Sequence, residues 1–330
     1  MKYSIILANI IALLCGTTLE SVAASRGIAI EKTPIKNEFV SGNFHALIIG
    51  NADYKDKKRK WLPLKTAVND AKAVELSLRL QYGFENTQLL LNASRKEILQ
   101  AMYNLGQQVK PEDSVVIYYA GHGYLDEQSK RGYWIPVDAV GDDHTSYIRN
   151  STIKDELSII ASRSRHTLLI SDSCFSGSLL RSKIRGTADT DYNQKYYEKV
   201  AQKKSVQIIT AGGVEFVDDD YRSSGHSPFT YFLLNELKQN QSELISMSEL
   251  SNRVKIAVAN NVDQTPEAGI LQGAGDELGD FIFVNLKVSV EVNGKTVSEQ
   301  NIPLKVDDQR NAQPQILPLP QMKLLPLPVI

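Results

Sequence analysis

The chain has 330 residues, with 37 basic and 38 acidic side chains and a net charge of -1. Charge this balanced leaves no basic stripe for a nucleic-acid backbone, so no nucleic-acid partner is expected. A composition that is 42% hydrophobic and 23% charged can bury a full core and excludes wholesale disorder, collagen-like repeats and a coiled coil.

Lys2, the apolar run Ile5 to Leu14 and Val22-Ala23-Ala24 before Ser25 follow the order of a secretory signal peptide, with cleavage expected after Ala24. The run is interrupted by Asn9 and is too short for a membrane span, so none is expected. Leu14 stands where a lipoprotein signal has a small residue, which argues against lipid on Cys15. Removal of residues 1–24 would leave Cys174 as the single cysteine of an exported chain, periplasmic or extracellular, with no internal disulfide. A lone thiol in that setting is an apolar filler or a retained reagent.

A polar lead covers residues 25–42. Five apolar runs then predict strands: Ala46 to Ile49, Gln88 to Leu91, Val115 to Tyr119, Thr167 to Ile170 and Val206 to Ile209. Most are continuous rather than alternating, as in strands covered on both faces. Ala67, Ala71, Val74 and Leu78 recur at helical spacing, as do Ile98, Met102 and Leu105 ahead of Pro111. Strands alternating with helices predict an α/β fold with a mostly parallel central sheet and helices on both faces. Arg181 to Lys204 and Val217 to Ser227 read as polar surface loops, and Phe281 to Val284 as a last strand. Val288, Val290 and Val292 alternate before Asn293-Gly294, predicting a small C-terminal β-hairpin appendage over 286–308. The tail over 309–330 holds Leu317-Pro318-Leu319-Pro320 and Leu325-Pro326-Leu327-Pro328, which favour extended polyproline geometry. It reads as a free tail, or as a ligand for a groove on this protein or a partner.

Cys174 follows the strand Thr167 to Ile170, and His122 follows the strand Val115 to Tyr119, 52 residues earlier. Open parallel sheets place their sites at the carboxyl ends of strands. If the two strands are neighbours, an imidazole can meet a thiol. A free thiol, with a pKa of about 8.5, is only a few per cent ionised at neutral pH, and an adjacent base corrects that. The amides of Gly123 and Cys174 could stabilise an oxyanion. His226, between Gly225 and Ser227-Pro228, is the rival base.

At these residues the sequence resembles the caspase-like cysteine peptidases, in particular the metacaspase and bacterial caspase-like branch. The matching segments are His45-Ala46-Leu47-Ile48-Ile49-Gly50, Asn69-Asp70-Ala71, Tyr119-Ala120-Gly121-His122-Gly123, Asp172-Ser173-Cys174-Phe175-Ser176-Gly177, Gly225-His226-Ser227-Pro228-Phe229-Thr230 and Gly279-Asp280-Phe281. The resemblance implies a caspase-like three-layer sandwich over residues 43–285 and a peptide or protein substrate cut by a His122–Cys174 dyad. It implies that Gly123 helps to form the oxyanion hole and that Asp70 and Asp172 line a pocket for a basic P1 side chain. Lys65, near the place of an aspartate-reading arginine in caspases, keeps acidic P1 as the minority reading, and Phe175 stands where metacaspases usually have histidine. Relatives carry an activation linker at residues 181–204, where Arg181, Lys183, Arg185 and Lys195 would suit self-cleavage. Some metacaspases need calcium, and Asp142-Asp143 and Asp218-Asp219-Asp220 offer carboxylates. Neither has EF-hand spacing, and such acidic runs are usually just solvated, so no metal and no cofactor are expected, with calcium as the alternative. The alternative function is a catalytically silent caspase-like module that binds peptides or proteins.

Overall fold

The computed structural model describes residues 41–173, 193–212, 219–271 and 273–286, together with the backbone of 30–32, 182–183, 288–292 and 295–298. Cys174, the Asn293-Gly294 turn and the Pro-rich tail lie outside the described residues. In chain order the strands and helices are β1 (Ile30–Lys32), β2 (Phe44–Gly50), α1 (Ala67–Gln81), β3 (Asn86–Leu91), α2 (Arg95–Gln108), β4 (Ser114–Ala120), β5 (Gly123–Asp126), β6 (Arg131–Trp134), β7 (Ile148–Arg149) and α3 (Asn150–Arg163). There follow β8 (His166–Asp172), β9 (Ser182–Lys183), α4 (Gln194–Ala201), β10 (Ser205–Thr210), α5 (Pro228–Gln239), β11 (Leu244–Ser246), α6 (Met247–Ala259), β12 (Glu267–Ile270), β13 (Ile282–Val284), β14 (Val288–Val292) and β15 (Lys295–Ser298).

The main sheet has the order β3-β2-β4-β8-β10-β12-β9. The first five strands run parallel, β12 is antiparallel to β10, and β9 is antiparallel to β12, so β9 points the same way as the first five. All seven positions of β4 and of β8 are buried, which is why Val115 to Tyr119 and Leu168 to Ile170 are continuously apolar rather than alternating. The pleat sends alternate residues to opposite faces. Ile48, Val116, Tyr118, Leu168 and Ile170 pack with Val74 and Leu78 of α1, Leu233 of α5 and Val254 of α6. Leu47, Ile49, Val115, Ile117 and Leu169 pack on the other side with Ile98 and Met102 of α2 and Ile153 and Leu157 of α3. The result is three layers: helices, sheet, helices. Local signals agree with it: Ser94 and Glu97 form a capping box on α2, and Ser227 caps α5 ahead of Pro228.

Two segments differ from the sequence reading. The stretch from Arg181 to Lys204 is not simply a surface loop: it contains α4, capped by Asn193 through Tyr196 N. Tyr197 and Ala201, one turn apart, bury against Ile282, and four residues of spacing on an otherwise polar helix is too little periodicity to stand out. The strand at 281–284 is present as β13, but it pairs antiparallel with β11 rather than joining the main sheet.

Residues 32–288 form one compact unit, and the strands β1, β14 and β15 belong mostly to a second. In the latter, β14 and β15 pair antiparallel with Val292 opposite Lys295, and β1 from the N-terminal lead adds a third strand beside β14. No helix among the described residues is long and apolar enough to cross a membrane.

Candidate active site

Strands β4 and β8 are neighbours, with Ala120 paired to Asp172 at their carboxyl ends. Gly121-His122 and Ser173 therefore leave the sheet side by side, tied where Gly121 N donates to Asp172 O at 3.4 Å. Cys174, next in the chain after Ser173, is outside the described residues.

His122 is held more firmly than its Gly-His-Gly setting suggests. Its ring packs against Tyr54 and Trp61, with centroids 4.7 and 5.6 Å away. Its amide donates to Tyr54 Oη at 2.8 Å, and its carbonyl accepts from Tyr119 Oη at 2.9 Å. Nε2 lies 2.8 Å from the carbonyl oxygen of Leu62. A carbonyl can only accept, so this bond places the proton on Nε2 and leaves Nδ1 with its lone pair. Burial holds the imidazole below its ordinary pKa, against the opposing influence of Leu62 O and Asp219, so the ring is neutral at pH 7.

Gly121 sits against the same two hydroxyls. A Cβ there would lie 2.8 Å from Tyr119 Oη and 2.9 Å from Tyr54 Oη, the two hydroxyls that grip His122. Gly121→Ala should cost about 1–3 kcal/mol by overpacking. Denaturant unfolding would measure this as a lower midpoint with an unchanged slope.

In front of His122 is a cavity of about 300 Å³ lined by Leu62, Leu64, Ser173, Ser227 and three carboxylates, Asp70, Asp172 and Asp219. No lysine or arginine lines it among the described residues. Asp70 is no solvent-facing helix residue: it is 1% exposed. Its Oδ1 accepts from His226 Nδ1 at 2.6 Å and its Oδ2 from Ser227 N at 3.3 Å. His226 is thereby engaged by Asp70. Asp172 Oδ2 accepts from Ser227 Oγ at 2.5 Å and from Thr230 Oγ1 at 2.6 Å. Ser227, the cap of α5, thus touches both carboxylates. Burial, then the neighbouring Asp70, pushes the Asp172 carboxyl up to about 7. Burial also raises Asp70, opposed by its bonds to His226 and Thr66.

Three participants were not legible beforehand. The Leu62 carbonyl has no side-chain signature. Asp219, within the acidic run read as solvated, instead accepts from Lys65 N at 2.6 Å and Thr66 N at 3.4 Å, capping the start of α1 beside the cavity. Ser227 carries only the signal of a helix cap. Lys65 is exposed and meets Asp219 through its backbone. Gly123 opens β5 opposite Trp134. Of the other acidic pair, Asp142 bonds Lys60 Nζ at 2.5 Å and Asp143 accepts from Thr145 N at 3.0 Å. Among the described residues no group of three His, Cys, Asp or Glu side chains is disposed to hold a metal ion.

Metacaspase-6 of Arabidopsis thaliana is 29% identical over 155 residues, covering 41% of this chain and only 38% of that protein's length. Among solved structures, a protein from Geobacter sulfurreducens aligns with a TM-score of 0.49 at 18% identity, covering 73% of this chain and all of its own. Caspase-1 from Spodoptera frugiperda aligns with a TM-score of 0.49 at 13% identity, over 74% of this chain and 94% of its own. The caspase domain family, peptidase C14, matches residues 43–271, more than half of the chain; the chain belongs to the caspase-like C14 peptidases.

Proposed function

We propose that the protein is an exported cysteine endopeptidase, periplasmic or extracellular, that hydrolyses peptide bonds after arginine or lysine. The observation that carries this reading is a neutral imidazole, its Nε2–H spent on Leu62 O, opening on a cavity with three carboxylates and no cation in its described lining. His122 Nδ1 accepts the proton of the Cys174 thiol. The sulfur attacks the scissile carbonyl, with the amides of Gly123 and Cys174 donating to the oxyanion, and the C–N bond breaks as His122 returns the proton to the leaving amine. Water, deprotonated by the same imidazole, hydrolyses the thioester and frees the thiol. A guanidinium or ammonium at P1 enters the cavity toward Asp172 and Asp70, where desolvated carboxylates favour a planar cation.

The charged stretch after Cys174 is the proposed self-cleavage region. Arg181, Lys183, Arg185 and Lys195 are its candidate P1 positions; Lys183 is paired with Gly269 in β9 and Lys195 lies in the first turn of α4. One experiment tests the whole reading. Purified chain is incubated with peptide substrates varied at P1 and with a thiol-reactive peptidyl-Arg probe, and intact mass is followed. The expected outcome is turnover far faster with Arg or Lys than with any other P1, one label on Cys174, and two fragments split after a basic residue within 181–204. A chain that neither labels nor turns over any peptide is a silent binding module, and turnover after aspartate overturns the specificity.

A further inference from the structure

The Leu62 carbonyl that fixes the tautomer of His122 sits on a long connection between β2 and α1, residues 51–66, which contains no helix or strand of its own. Four backbone amides converge on a single side chain in this connection. Asp56 Oδ1 accepts from Lys58 N at 3.1 Å and Gly141 N at 3.0 Å, and Oδ2 accepts from Lys60 N at 2.8 Å and Trp61 N at 3.3 Å. Three of these donors belong to the turn leading directly into Leu62. The fourth, Gly141, belongs to the segment after β6, so the carboxylate staples two loops together. The turn is otherwise costly: Arg59 has φ of +56°, a left-handed conformation that a residue other than glycine holds only with compensating bonds. Trp61, whose amide is one of the four, is the indole packed against the His122 ring.

We propose that Asp56 is a positioning residue for His122, acting through the Leu62 carbonyl and the Trp61 ring to hold the imidazole in its buried, Nε2-protonated orientation. Asp56 touches neither substrate nor the reacting atoms. Burial alone would raise its carboxyl, but the four amides hold it below its ordinary value, so the staple is an anion accepting from four fixed dipoles. The inference rests on His122 being the base proposed above.

Asp56→Asn keeps the shape but turns one acceptor into a donor facing two N–H groups. The test follows the His122 ring by NMR titration of the full-length chain, assigned against His122→Asn, alongside kinetics on a peptidyl-Arg substrate. The titratable groups around the ring are Tyr54 and, across the cavity, Asp70, Asp172 and Asp219, and Asp56→Asn leaves all four in place. Because burial is the largest influence on the ring, loosening the turn should raise its titration midpoint toward the ordinary value of about 6.5. Meanwhile kcat should fall about tenfold or more with KM within about twofold. An unchanged midpoint overturns the proposal, even if kcat or the melting temperature falls, because the effect would then not pass through the imidazole. If the wild-type chain hydrolyses nothing, the peptidase reading fails while the titration still decides the role of Asp56. Should Asp56→Asn not fold, Asp56→Glu, which displaces the carboxylate by one methylene, gives the same readout.

Discussion

Replacing His122 by asparagine should lower kcat/KM on a peptidyl-Arg substrate by about 10³–10⁴-fold, the upper part of what a positioned general base contributes. The size follows from the protonation states. A cysteine thiol of ordinary pKa, about 8.5, offers only a few per cent of nucleophile at pH 7, and the same imidazole must also protonate the amine that leaves. Asparagine can do neither, although its amide could still reach Leu62 O. Ground-state binding should survive, because the three carboxylates of the cavity are untouched. The affinity for a non-reactive peptide ending in arginine should stay within about twofold, separating lost chemistry from a lost fold. In the wild type the acid limb of the profile for a substrate with uncharged P1 should fall below about 6.5, since burial disfavours the imidazolium. A midpoint well above that value would mean that His122 is stabilised as a cation, contrary to the neutral base argued here.

The elements that position His122 were readable for a simple reason. Strands β2, β4, β8 and β10 are covered on both faces by helices, so burial itself writes continuous apolar runs such as Val115 to Tyr119. The adjacency of β4 and β8, only a condition in the sequence, is supplied by the strand order of the sheet. What escaped the sequence is what backbone atoms and long-range contacts do. Leu62 acts through its carbonyl, Asp219 through amides 154 and 153 residues away, and Asp56 through a staple to Gly141, 85 residues on. None of these imposes a period on the chain. The aromatic packing of His122 was invisible for the same reason: Tyr54 and Trp61 lie in a connection without regular structure and meet the ring only in the folded state. Charge also misled in one place, since α4 is held down by Tyr197 and Ala201 with Tyr196 and Val200 packed beside them.

Asp172→Asn should separate specificity from stability, because the two effects have opposite signs. Removing the buried carboxylate leaves an incoming guanidinium short of an ionic partner, a loss of about 2–5 kcal/mol for a desolvated pair, or roughly 30- to 5000-fold in kcat/KM for P1 arginine. The neutral isostere citrulline should be affected far less. In the wild type, the ratio of kcat/KM for arginine over citrulline should climb as pH rises through about 7, where Asp172 loses its proton. Ionisation of His122 cancels from that ratio. Stability runs the other way. The folded-state pKa of Asp172 is raised above its ordinary value of 3.8, so the folded chain binds this proton more tightly than the unfolded chain does. The resulting stabilisation is complete below the unfolded value and is lost as pH rises through about 7. At pH 8 the wild type must bury an anion beside Asp70, and the asparagine variant does not. The variant should therefore melt higher by roughly 2–4 °C for each 1 kcal/mol relieved, with the two melting temperatures converging as pH falls from about 7 toward 3.8. Ser227 and Thr230 can still donate to the amide oxygen, so the local hydrogen bonds do not reverse this sign. A variant that melts lower than the wild type at pH 8, or that keeps its preference for arginine, would show that Asp172 is a structural acceptor for the start of α5 and not the floor of a specificity pocket.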